Sequence, residues 1–138
     1  MKVLVDTSVW SLALRRPANN PLSPQQRASV SALGELVRDG RAMMIGAIRQ
    51  ELLSGVKTQS QFDVLRDSLG AFEDVLLSRE IYESAAQAFN SCRANGVQGS
   101  NTDFLICAVS MFHQVPIFTL DGDFLMYQSW LPVPLYEP

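Results

Sequence analysis

The stretch Val3-Leu4-Val5-Asp6-Thr7-Ser8 decides how the rest of the chain is read. Residues 2–5 have the composition of a short buried strand. Asp6, Thr7 and Ser8 each carry an oxygen that caps helices well, so a helix begins near Val9. The strand-then-helix unit recurs. A serine cap and a first-position proline at Ser23-Pro24 open a helix to about Arg38, which Asp39-Gly40 ends. Residues 42–45 read as a strand, 47–53 as a helix stopped by Ser54-Gly55, and 59–69 as a helix closed by Gly70. Residues 72–77 read as a strand, 79–95 as a helix and 96–100 as a polar loop. Residues 102–113 form an apolar helix, 116–119 a strand, 123–127 a short helix and 133–136 a last strand. Residues 17–21, Pro-Ala-Asn-Asn-Pro, are a loop. Alternating strands and helices imply an α/β fold with a mainly parallel sheet covered on both faces. Right-handed crossovers then put every strand's C-terminal end on one edge, where ligands collect.

A length of 138 residues fits a single domain spanning 1–138. With 47% hydrophobic and 18% charged residues, the chain has a core to bury and no reason for disorder. A net charge of -3 and a pI near 5.0 weigh against a general nucleic-acid binder, which is usually basic. Cys92 and Cys107 lack C-x-x-C spacing, and the single histidine, His113, excludes a His-rich zinc site. A reducing, cytoplasmic setting is expected. Asp6 interrupts the first apolar run, so the N-terminus does not read as a signal peptide. No apolar stretch approaches the roughly 20 residues of a membrane span, and no membrane association is expected.

The 14 acidic residues are not equivalent. Glu35, Asp39, Asp63, Asp67, Glu73, Asp74, Glu80 and Glu83 read as solvated positions on polar helix faces. Asp6 ends the first strand, either as a helix cap or as a ligand. Asp121 follows the strand at 116–119 and reaches the same edge, although Asp121-Gly122 is also a turn signal. Asp123 lies so close behind that the choice between the two acids stays open. Asp103 sits in the first turn of an otherwise apolar helix, where the dipole favours a carboxylate by about 0.3–1 kcal/mol. Glu51 lies in the helix after the second strand and reaches the edge less directly. Carboxylates gathered this way repel unless a cation neutralises them. With no imidazole or thiolate in the set, that cation is a hard one, Mg²⁺ or Mn²⁺. Such an ion activates water and stabilises charge developing on phosphorus, which is phosphodiester chemistry.

Four segments carry a resemblance. They are Val5-Asp6-Thr7-Ser8-Val9-Trp10, Glu51-Leu52-Leu53-Ser54-Gly55, Thr102-Asp103-Phe104-Leu105-Ile106-Cys107-Ala108 and Thr119-Leu120-Asp121-Gly122-Asp123-Phe124. In their order and spacing the chain resembles the PIN-domain family, specifically the VapC-type toxins of bacterial toxin–antitoxin pairs. The resemblance implies a three-layer α/β/α sandwich and a Mg²⁺- or Mn²⁺-dependent endoribonuclease. It also implies a homodimer held in check by a VapB-like antitoxin, with DNA contacted only through that antitoxin. Carried over, Asp6, Glu51, Asp103 and Asp121 match the family's catalytic, metal-holding acids. Thr7, Ser8 and Thr119 match supporting hydroxyl positions, and Asp123 matches an acid that some members use.

Expected alongside are Arg15, Arg16, Arg49 and Lys57 as phosphate contacts or as a solvated face. Trp10, Phe62 and Trp130 are expected either at a partner groove or in the core. A haloacid-dehalogenase-like phosphatase wants a second Asp where Ser8 stands and a late lysine, and the only lysines are Lys2 and Lys57. A receiver domain fails on the same missing lysine. The remaining alternative is a catalytically inactive PIN-like module that binds RNA or protein, which need not bind Mn²⁺.

Overall fold

A computed structural model of the chain describes residues 1–15 and 20–138. Arg16 and most of the expected loop at 17–21 lie outside the described residues. Strand β1 (Val3–Val5) is the centre of a parallel sheet, flanked by β2 (Ala42–Met43) and β3 (Ile117–Phe118) in the order β2-β1-β3. The register pairs Val3 with Ala42 on one side and Val5 with Phe118 on the other. Successive strand side chains point to opposite faces, and Val3, Leu4 and Val5 are all fully buried, so both faces of β1 are covered.

The covering helices are α1 (Thr7–Leu14), α2 (Pro24–Arg38), α3 (Gly46–Leu53), α4 (Gln59–Leu69), α5 (Arg79–Ala94), α6 (Asn101–His113) and α7 (Asp123–Gln128). Their starts follow the expected caps. Ser23 and Gln26 form a reciprocal capping box on α2, and Thr58, Ser78 and Ser100 cap α4, α5 and α6. The apolar sequence of α6 has the expected consequence: Phe104 to Ser110 are buried without interruption. Both cysteines are free and buried, and burial pushes both thiols up from their ordinary pKa, so neither is a ready nucleophile. No helix among the described residues is long and apolar enough to cross a membrane.

Two expected strands shrink to single bridges. In residues 72–77 only Asp74 pairs, with Met44, where Val75 N–H donates to the Met44 carbonyl at 2.9 Å. In residues 133–136 only Leu135 pairs, with Ile117. Pro132 and Pro134 have no N–H to extend that ladder. Trp10 is core: it is 2% exposed, its ring meets Phe72 edge-on at 4.9 Å, and its indole N–H donates to Val5 O. Phe62 is half-buried, while Trp130 is exposed.

Candidate active site

The edge beyond the C-terminal ends of β1 and β3 gathers the carboxylates. Asp6 is pinned first by its backbone, whose N–H donates to Phe118 O at 2.8 Å across the strand pair. Its side chain caps α1, accepting from Ser8 N–H at 3.4 Å. The cap reading of Asp6 is therefore correct, and it leaves the ligand reading intact. Asp6 Oδ2 also accepts from Ser8 Oγ at 2.8 Å and from Thr119 Oγ1 at 2.8 Å. The two hydroxyls reach further. Ser8 Oγ accepts from Leu120 N–H at 2.9 Å, and Thr119 Oγ1 accepts from Asp121 N–H at 3.0 Å. The loop carrying Asp121 is thus stitched to the start of α1. Asp121 Oδ1 in turn accepts from Asp123 N–H at 2.9 Å, an Asx turn that starts α7.

Asp103 arrives from α6, whose cap Ser100 accepts from Asp103 N–H at 3.1 Å. Each of Asp103, Asp121 and Asp123 offers a ligand oxygen, and these atoms lie within 4.8 Å of one another. Asp6 stands beside this trio and repels Asp103. Burial, followed by the charges of Asp6 and Asp121, raises the Asp103 carboxyl above its ordinary pKa, against the lowering pull of hydrogen bonds from Tyr127 and Ser100. Glu51 is set apart from the trio. It accepts from Thr7 Oγ1 at 2.6 Å at the start of α1 and lines a cleft of about 470 Å³ that Thr102, the neighbour of Asp103, also lines.

Tyr127 was not legible as part of this site. It is fully buried, and its hydroxyl donates to Asp103 Oδ2 at 2.6 Å. Burial and the neighbouring carboxylate raise its pKa, so it stays a proton donor. The one sequence signal was its spacing four residues after Asp123, which places both on one face of α7.

The donor set fits a hard divalent cation. All the gathered groups are carboxylates, the oxygen donors that Mg²⁺ and Mn²⁺ take. The single histidine, His113, lies ten residues along α6 from Asp103, about 15 Å away. Among the described residues no salt bridge reaches these acids. Arg49, expected as a phosphate contact, is instead taken up by Asp74 at 2.8 Å and by the carbonyls of Leu69 and Phe72. Arg15 and Lys57 line a separate cleft of about 700 Å³ between the end of α1 and α4.

Several solved structures share this fold. FitAcB from Neisseria gonorrhoeae superposes with a TM-score of 0.74 at 21% identity, over 99% of this chain and 97% of that one. VapBC2 from Rickettsia felis, bound to a DNA fragment from their promoter, gives 0.73 at 16% identity over 99% and 98%. FitAB bound to an IR36 DNA fragment gives 0.72 at 19% identity over 97% and 93%. No sequence among curated proteins matches this one significantly. Residues 3–128 match the PIN domain model, nearly the whole of the sheet and its helices, and the chain belongs to the PIN domain family.

Proposed function

We propose that this chain is a Mg²⁺- or Mn²⁺-dependent endoribonuclease, a single nuclease domain over residues 1–138, acting as the toxin of a VapBC-type pair. The observation that carries this reading is the meeting of Asp103, Asp121 and Asp123 within 4.8 Å beside Asp6, with no protein cation paired to them among the described residues. Asp6, Asp103 and Asp121 hold the ion, directly or through water, and Asp123 adds a fourth carboxylate at the rim. Bound there, the ion supplies Lewis acidity toward a phosphodiester and a nucleophilic water at neutral pH. Glu51, in the cleft that Thr102 also lines, orients that water or adds a ligand. Ser8 and Thr119 keep Asp6 and the Asp121 loop in register. Thr7 does the same for Glu51.

The partners follow from the same reading. VapBC2 and FitAB were each solved on DNA fragments, and the VapBC name matches the toxin–antitoxin pairing implied by the sequence resemblance. For this chain we infer a VapB-like antitoxin, a homodimer, RNA as substrate in the cytoplasm, and DNA contact only through the antitoxin. The test is cleavage of RNA with Mg²⁺, Mn²⁺ or EDTA by the wild type, Asp6→Asn and Asp103→Asn, with sequencing of RNA ends after induction in cells. Cleavage is expected only with metal and only by the wild type. A folded Asp6→Asn protein that cuts RNA as fast as the wild type would overturn the reading.

A further inference from the structure

We infer that Tyr127 and Gly99 form a positioning device for Asp103, holding its carboxylate in the one orientation from which it meets Asp121 and Asp123. This rests on the metal-dependent reading above and adds residues to it that no sequence motif contains.

Asp103 needs such a device. It lies in the first turn of α6 and is only half-buried, and on the helix itself only the cap Ser100 bears on its carboxyl. Asp6 is held by two hydroxyls, and Asp121 by the N–H of Asp123. For Asp103 the corresponding contact is the phenol of Tyr127, at 2.6 Å and 24 residues away. That phenol engages one carboxylate oxygen, as groups behind a metal ligand commonly do, so the other would remain for a cation.

The phenol is itself packed in place. Its ring packs against Phe104 at 4.9 Å and Phe124 at 5.2 Å between centroids. Gly99 closes over the hydroxyl. A Cβ there would stand 2.2 Å from Tyr127 Oη and 2.7 Å from Cζ, so a side chain forces the phenol and the Gly99 backbone apart. Gly99 is not among the positive-φ glycines, which are Gly40, Gly55 and Gly96. Its lack of a side chain therefore serves space for the hydroxyl, not backbone freedom.

The bland reading is that a buried tyrosine has simply found an acceptor. Calorimetric Mn²⁺ titration separates the two, run on the wild type, Asp103→Asn, Tyr127→Phe and Gly99→Ala, with a melt of each metal-free protein. Tyr127→Phe keeps the ring and removes only the hydroxyl. It is expected to weaken Mn²⁺ binding about 10–100-fold. Its metal-free melting point should stay within about 8 °C of the wild type, the cost of one hydrogen bond to a charged group. Gly99→Ala, which removes no polar group, is expected to weaken binding to a similar degree and stands in if Tyr127→Phe does not fold. Mn²⁺ affinity within about twofold of wild type in either folded variant overturns the inference, whatever happens to the melting point. A wild type that takes up no Mn²⁺ overturns the nuclease reading and this device with it. Binding lost in Asp103→Asn but kept in Tyr127→Phe overturns the device alone.

Discussion

Two carboxylate-bearing regions of this protein are built on opposite plans. At the outer side of β2, Asp74 meets Arg49 at 2.8 Å, and the same guanidinium also binds the Leu69 and Phe72 carbonyls. Charge there is balanced within the chain, and the balance fastens α3 to the segment after α4. At the other side of the sheet, Asp103, Asp121 and Asp123 converge beside Asp6 with hydroxyls, a phenol and backbone amides as their partners. Those donors orient carboxylates but do not neutralise them. A cluster that is positioned and left charged is matched to a cation from outside.

The largest effect of substitution is expected at the uncompensated edge. Asp103→Asn or Asp6→Asn should lower metal-dependent cleavage on the order of a hundredfold or more, read from initial rates at saturating Mn²⁺. The next tests the compensated region. Arg49→Met should cost about 2 kcal/mol, because Asp74 and two carbonyls lose their donor at a partly exposed site, lowering the melting point by about 6–8 °C. Its Mn²⁺ affinity should not move, and a marked loss would mean that the two regions are coupled. Ser8→Ala removes the hydroxyl that bridges Asp6 and Leu120 N–H, and should cost about 1 kcal/mol by chemical denaturation.

The smallest effect is a pH slope in the metal-free protein. The Asp103 carboxyl is raised in the fold, chiefly by burial, so the folded state binds more protons than the unfolded chain between the two pKa values. That contribution is fully present below the ordinary carboxylate pKa and is lost as pH rises through the raised one. Stability relative to Asp103→Asn should therefore increase on acidification through that window, in paired denaturation curves without metal. Saturating Mn²⁺, which needs the ionised carboxylate, should reverse the trend.

Much of this architecture was written locally. Cap residues and the period of apolar positions placed the helices to within about two residues. The run Val3-Leu4-Val5-Asp6 put a carboxylate at the end of a buried strand. Residues 72–77 and 133–136 misled because their composition is that of strands, whereas a ladder needs a donor and a partner at each pairing position. Prolines 132 and 134 removed the donors in one case. Arg49 read as a free cation because no local signal reveals an acceptor 25 residues away. Trp10 stood open between surface and core until the packing of Phe72 against it.

The sequence by itself determined which acids end strands or begin helices, since capping and hydrophobic periodicity act over a few residues. Only the tertiary structure decided which of them meet. It brought Asp121 and Asp123 to Asp103, set Glu51 in a cleft with Thr102, and ran Tyr127 back to Asp103 beneath Gly99. Those contacts join atoms far apart along the chain, and their distances arise from how the helices pack on the sheet.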